Sequence, residues 1–270
     1  METSRPERQQ PRVLCTAGDR QISYGVSQDK QTRGIVMQKT LGSKVGLILA
    51  LFGAGLLLTG TYLHPTSADP NVPVAAFAEY AADTHWVTSH LMQLYGVGLL
   101  VTTLVLFSRK LNDGPAAVWT PIVRIGAGAS VAVAAALQAV DGVALKVMVD
   151  RWAATAEPEK TSLFHATFAV RQIEVGLASM GSMLFGLTVL ACGIAVVLDR
   201  RFPRWIGTLA IISGVPTAIA GIVIAYTGFS NLAMLINMPA SLLLTLWIVA
   251  LGVDDWRQPV PLGEIHHDMG

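Results

Sequence analysis

Val175 to Leu198 reads VGLASMGSMLFGLTVLACGIAVVL, an uninterrupted run without a charge, and Asp199-Arg200-Arg201 follows it directly. At ~1.5 Å per residue the run is long enough to cross a hydrocarbon core of ~30 Å. A helix apolar on every face belongs in lipid or in the centre of a large protein, and a chain of 270 residues has little room for the second. Working outward from this stretch, the same pattern recurs. The predicted spans are Lys44 to Leu63, Ser89 to Phe107, Pro121 to Leu145, Phe164 to Leu198, Trp205 to Tyr226 and Asn231 to Val253. A composition of 52% hydrophobic and 14% charged residues agrees with an integral membrane protein. The expected fold is therefore all-α, a polytopic membrane bundle of six transmembrane helices.

Basic residues set the expected orientation. The N-terminal tail through Lys44, the connection with Arg109, Lys110 and Arg124, the connection with Arg200, Arg201 and Arg204, and Arg257 all fall on one side. The first connection, His64 to His85, has Asp69, Glu79 and Asp83 and no Lys or Arg. By the positive-inside rule both termini are cytoplasmic. Tyr80, Trp86 and Trp152 are then expected at the outer interface and Trp119, Trp205 and Trp256 at the inner one. The domain reading is a disordered cytoplasmic tail over 1–40, a six-span domain over 41–255 and a cytoplasmic tail over 256–270. The tail reads as polar, with no signal peptide, and Met37 is an alternative start. Cys15 and Cys192 are too far apart in this topology to pair.

The first connection carries Pro65, Pro70 and Pro73, which keep it irregular, and then an Ala-rich stretch, Val74 to Asp83, that predicts a short helix over the bundle. It is either an interfacial spacer or a lid.

Charges inside spans are costly, at ~2.5 kcal/mol or more, and so point to function. Here they gather on the outer side: His90 and Gln93 in the second span, Gln138, Asp141 and Lys146 in the third, and His165, Arg171 and Glu174 in the fourth. Helical spacing aims them inward. Glu174, Ala178, Ser182 and Gly186 share a face, as do Gly126, Ser130, Ala134, Gln138 and Asp141, and His90, Gln93 and Gly98 share a stripe. The candidate site is thus His90, Gln93, Asp141, Arg171 and Glu174, with Arg171 expected to pair with Glu174 at i, i+3 and to be bridged by Asp141 from the neighbouring helix. Two readings stand side by side: an ion-pair network that pins three helices, or a pocket for a small amphiphile or an ion.

Cofactor chemistry competes for the same residues. Haem b wants two axial histidines from facing helices, for which His90 and His165 are the candidates. A metal site would need several of His85, His90, Asp141, His165 and Glu174 to converge, and no compact ligand spacing marks one. No cofactor, metal or catalytic residue is therefore assigned, and nothing points to nucleic acid. Gly214, Pro216, Gly221 and Pro239, with Asn237 beside the last, suggest kinks of the kind found in broken-helix transport sites or in ordinary structural helices.

The segment from Gly186 to Gly214 has two glycines in an apolar helix, a basic turn and then Phe202-Pro203-Arg204-x-x-Gly207-x-Leu209-x-x-Ile212-x-Gly214. It resembles the corresponding hairpin of the bacterial six-helix membrane proteins catalogued as domain of unknown function 4386. The resemblance implies a multi-pass protein of a bacterial cytoplasmic membrane and no particular activity. The expected function is that of a non-enzymatic accessory or small-ligand-binding component in contact with membrane lipids. A small ion- or proton-coupled transporter is the alternative, and a haem- or metal-containing redox protein a further one.

Overall fold

The computed structural model describes residues 41–258. The expectations for residues 1–40, Cys15 and the last residues of the C-terminal tail lie outside them. The described chain runs α1 (Leu41–Leu63), then α2 (Pro73–Ala82) and α3 (Trp86–Ser108), a 3₁₀ turn (Gly114–Val118), and α4 (Thr120–Gln138). A π-helical turn (Ala139–Leu145) leads without a break into α5 (Lys146–Ala154), followed by α6 (Glu159–Leu198), α7 (Arg204–Thr227) and α8 (Asn231–Arg257). Among the described residues, six helices are long and apolar enough to cross a membrane. Large apolar side chains such as Ile48, Phe52, Ile125, Leu187 and Leu235 stand exposed along them, as on a bundle solvated by lipid.

The helix boundaries have local causes. Pro73 occupies the first turn of α2, where its missing N–H costs nothing. The Ser230 hydroxyl accepts from the N–H of Ala233 and caps α8, and Gly228, at φ 62°, ends α7 in a conformation that favours glycine. α7 and α8 run unbroken through Pro216 and Pro239. Of the two readings of these prolines, ordinary structural helices fit, and a broken helix is not seen in this pair.

Backbone contact joins the helices. A Cβ on Gly214 would meet the carbonyl of Gly186 at 2.8 Å, and one on Gly193 would meet that of Gly207 at the same distance. The hairpin of α6 and α7 closes through these glycines, as small-residue membrane interfaces do. In α3 the close approach is at Gly96, against Gly53 and Leu57 of α1, whereas Gly98 faces open space. The main core, with Leu104, Phe107, Phe202, Trp247, Ile248 and Leu251, lies toward the basic end. There Lys110 reaches Asp255 at 2.6 Å and the Trp247 indole donates to the carbonyl of Ile206 at 2.9 Å.

At the other end a second core forms beneath α2, from Phe77, Tyr80, Trp86, Leu145, Val149 and Trp152. This corrects the expectation of an aromatic belt on that side. Trp86 is 0% and Tyr80 4% exposed, because α2 folds over them and offers rings of its own. Trp205 and Trp256 are exposed at the basic end, while the partly buried Trp119 packs on the main core. The third span is also longer than its apolar run, since Lys146 to Ala154 continues as helix with Val149 and Trp152 turned toward α2. α6, at ~1.5 Å per residue, is about twice as long as a hydrocarbon core of ~30 Å is thick. Leu163, Phe164 and Val170 in its first half pack on the second core.

Candidate functional site

A cavity of about 520 Å³ opens inside the α2 end of the bundle. Its wall is built by the small faces anticipated on α4 and α6: Ser130 and Ala134 from one, Ala178 and Ser182 from the other. Because these side chains are short, the helices enclose space here instead of meeting. Gln93, Gln138, Asp141, Arg171 and Glu174 all line the space, so four of the spans' polar residues from α4, the π turn and α6 converge with one from α3.

Their pairing differs from the expectation in one respect. Arg171 (6% exposed) is bonded to both carboxylate oxygens of Glu174 (2% exposed), one turn along α6. Asp141, expected to bridge Arg171, instead meets His90: Oδ2 stands 3.0 Å from Nε2. The π turn is the cause, since a wide turn re-aims its side chains and delivers Asp141 to α3. Gln138 donates to Gln93 at 3.3 Å.

His90 is held on its other side. Its Nδ1 lies 2.6 Å from the carbonyl oxygen of Trp86, and the Trp86 indole donates to the carbonyl of Asp141 at 2.9 Å. His64, just beyond α1, completes the group: its ring centroid is 5.0 Å from that of Trp86 and 5.1 Å from that of His90. Burial, and then the neighbouring His90, hold the His64 imidazole below its usual range. Burial likewise pushes the Tyr80 phenol up to about 12, so it stays a neutral hydroxyl. The rings of Tyr80 and Phe229 cover Arg171, at 5.6 and 5.0 Å from its guanidinium carbon.

The roof is tied down. Glu79 accepts from the backbone N–H groups of Ser67 and Ala68, and the Asn71 amide donates to the carbonyl of Phe229 at 2.9 Å. Lys146 donates to the carbonyls of Tyr80 and Ala81 at 3.0 and 2.9 Å, a cation at the C-terminus of α2.

His165 is exposed on α6 and meets Phe164 edge-on, so the structure does not bring it to His90. His85 is exposed as well. The partners that sequence reasoning missed are His64, Tyr80, Trp86 and Phe229. The available signal for His64 was its position: a histidine at the end of one span, on the same side as a histidine near the start of the next.

No family model, no curated protein and no solved structure matches this chain.

Proposed function

We propose that this chain is a non-enzymatic component of a bacterial cytoplasmic membrane that binds a small amphiphile with a hydrogen-bond-donating head group. One observation carries the reading. Within the cavity, Oε1 of Gln138 and Oδ1 of Asp141 are buried acceptors with no partner among the described residues. A buried acceptor left unpaired costs ~1–3 kcal/mol, and a hydroxyl or amine on the ligand relieves that cost. The rest of the wall, with Val97, Leu137, Phe185, Ile224 and Met234, suits an apolar tail. A volume near 520 Å³ is in the ordinary range for small-molecule sites. Arg171 is already neutralised by Glu174, which favours a neutral or cationic head over an anionic one.

Native mass spectrometry of the detergent-purified chain tests this. A bound mass is expected that survives detergent exchange and disappears in Ala178→Trp and Ala134→Trp, which fill the cavity. Equal retention in both variants, or only loosely held annular lipid in the wild type, would sink the reading.

A further inference from the structure

The geometry points to a divalent transition-metal site made by His64, His90 and Asp141. Each of the three residues presents one ligand atom, and these atoms all lie within 4.8 Å of one another. The distance from His90 Nε2 to Asp141 Oδ2, 3.0 Å, is close to the edge of about 3.3 Å that ~2.0–2.1 Å bonds give around a tetrahedral zinc ion.

The hydrogen bonds around the imidazoles strengthen the case. A carbonyl oxygen only accepts, so the Nδ1 of His90, 2.6 Å from the carbonyl of Trp86, carries the proton. The Nδ1 of His64, 2.8 Å from the carbonyl of Pro65, does the same. Both rings are thus set in the tautomer whose lone pair is on Nε2, with the opposite nitrogen anchored to backbone, which is the usual outer support of a metal-binding histidine. In His90 that lone pair faces a carboxylate oxygen. Two acceptors at 3.0 Å need a cation between them, and only a proton or a metal ion serves. The ion takes Oδ2 of Asp141 and leaves its Oδ1 open to a donor on a ligand in the cavity.

The pieces come from three separate elements: the α1–α2 connection, α3 and the π turn. Trp86 touches all of them, through its ring against His64 and His90 and its indole N–H on the carbonyl of Asp141. Two imidazoles and one carboxylate are a borderline donor set suited to zinc or iron(II) rather than calcium or magnesium. Since His64 and Asp141 both line the cavity, the positions left open on the ion face it, and a ligand's oxygen or nitrogen could complete the coordination. The site does not depend on an amphiphile being bound.

The test uses the full chain in detergent, stripped with a chelator and titrated with Zn²⁺ by calorimetry. One equivalent is expected to bind, and His64→Ala, which removes a connection residue and not a core one, is expected to weaken binding by ~100-fold or more. Reloading His64→Cys with Co²⁺ should produce a thiolate-to-cobalt charge-transfer band that the wild type lacks. Sub-stoichiometric Zn²⁺, or full binding that is indifferent to His64→Ala and shows no such band in His64→Cys, overturns the site. In that case a proton bridges His90 and Asp141, and the mass-spectrometric result for the cavity stands or falls separately.

Discussion

Gly142 makes room for His90: a Cβ built on the glycine would stand 2.6 Å from the Cβ of the histidine. The π turn and α3 therefore touch side chain to backbone at the point where Asp141 is presented. Gly142→Ala should push α3 away and cost ~1–3 kcal/mol by overpacking. Gly128→Ala, where nothing lies within 4 Å, should be neutral or slightly stabilising. Thermal unfolding in detergent compares them, and equal midpoints would contradict the contact.

The Arg171–Glu174 pair is buried on both sides. Arg171→Leu strands a carboxylate and should destabilise by ~3–5 kcal/mol, while Arg171→Leu with Glu174→Leu should recover much of the loss. The same cycle with Asp141→Leu should show weaker coupling, because Asp141 is engaged by His90. Coupling that is stronger to Asp141 than to Glu174 would mean the pairing is misassigned.

Close packing of α6 on α7 rests on glycine. A Cβ on Gly186 meets the backbone of α7 at Gly214 and Ala218, whereas one on Gly176 meets nothing within 4 Å. Gly186→Leu should cost more than about 3 kcal/mol, since backbone cannot rotate out of the way. Gly176→Leu serves as the tolerated control. If urea or thermal unfolding ranks them the other way, the hairpin does not close through these residues.

Lys146 holds the last carbonyls of α2. Lys146→Met should leave global stability within about 1–2 kcal/mol while amide exchange in residues 73–82 speeds up markedly. Unchanged exchange there would show that the apolar contacts of Phe77 and Tyr80 suffice.

Orientation is checked by labelling. In a cysteine-free background, Ser67→Cys should react with a membrane-impermeant thiol reagent on intact cells and Asn112→Cys should not, following the Lys/Arg asymmetry. The reverse pattern would invert the bundle.

The spans were legible because lipid imposes long apolar runs, and the inward faces were legible because a period of 3.6 puts Ser130, Ala134 and Gln138 on one side. The Arg171–Glu174 pair was readable for the same reason. What escaped was non-local. His64 meets His90 across the whole of α2 and its flanking turns, and no periodic signal links residues so connected. Trp86 looked like a membrane anchor because its amphipathic ring suits headgroups, and only the fold of α2 across it shows otherwise. Asp141 could be placed on the correct face of its helix, but its partner could not, since nothing in Gln138 to Lys146 announces a wide turn.

That wide turn, Ala139 to Leu145, works as a phase shifter in an otherwise continuous rod. Ahead of it the rod presents Ser130 and Ala134 to the cavity; beyond it the same rod presents Val149 and Trp152 to α2. Wound as regular α-helix, the same seven residues would turn everything downstream by about 100°. Removing one of them would leave the two halves nearly in phase, because the wide turn absorbs about one extra residue. The width of that single turn thus sets the alignment between a cavity-facing half and a roof-bearing half.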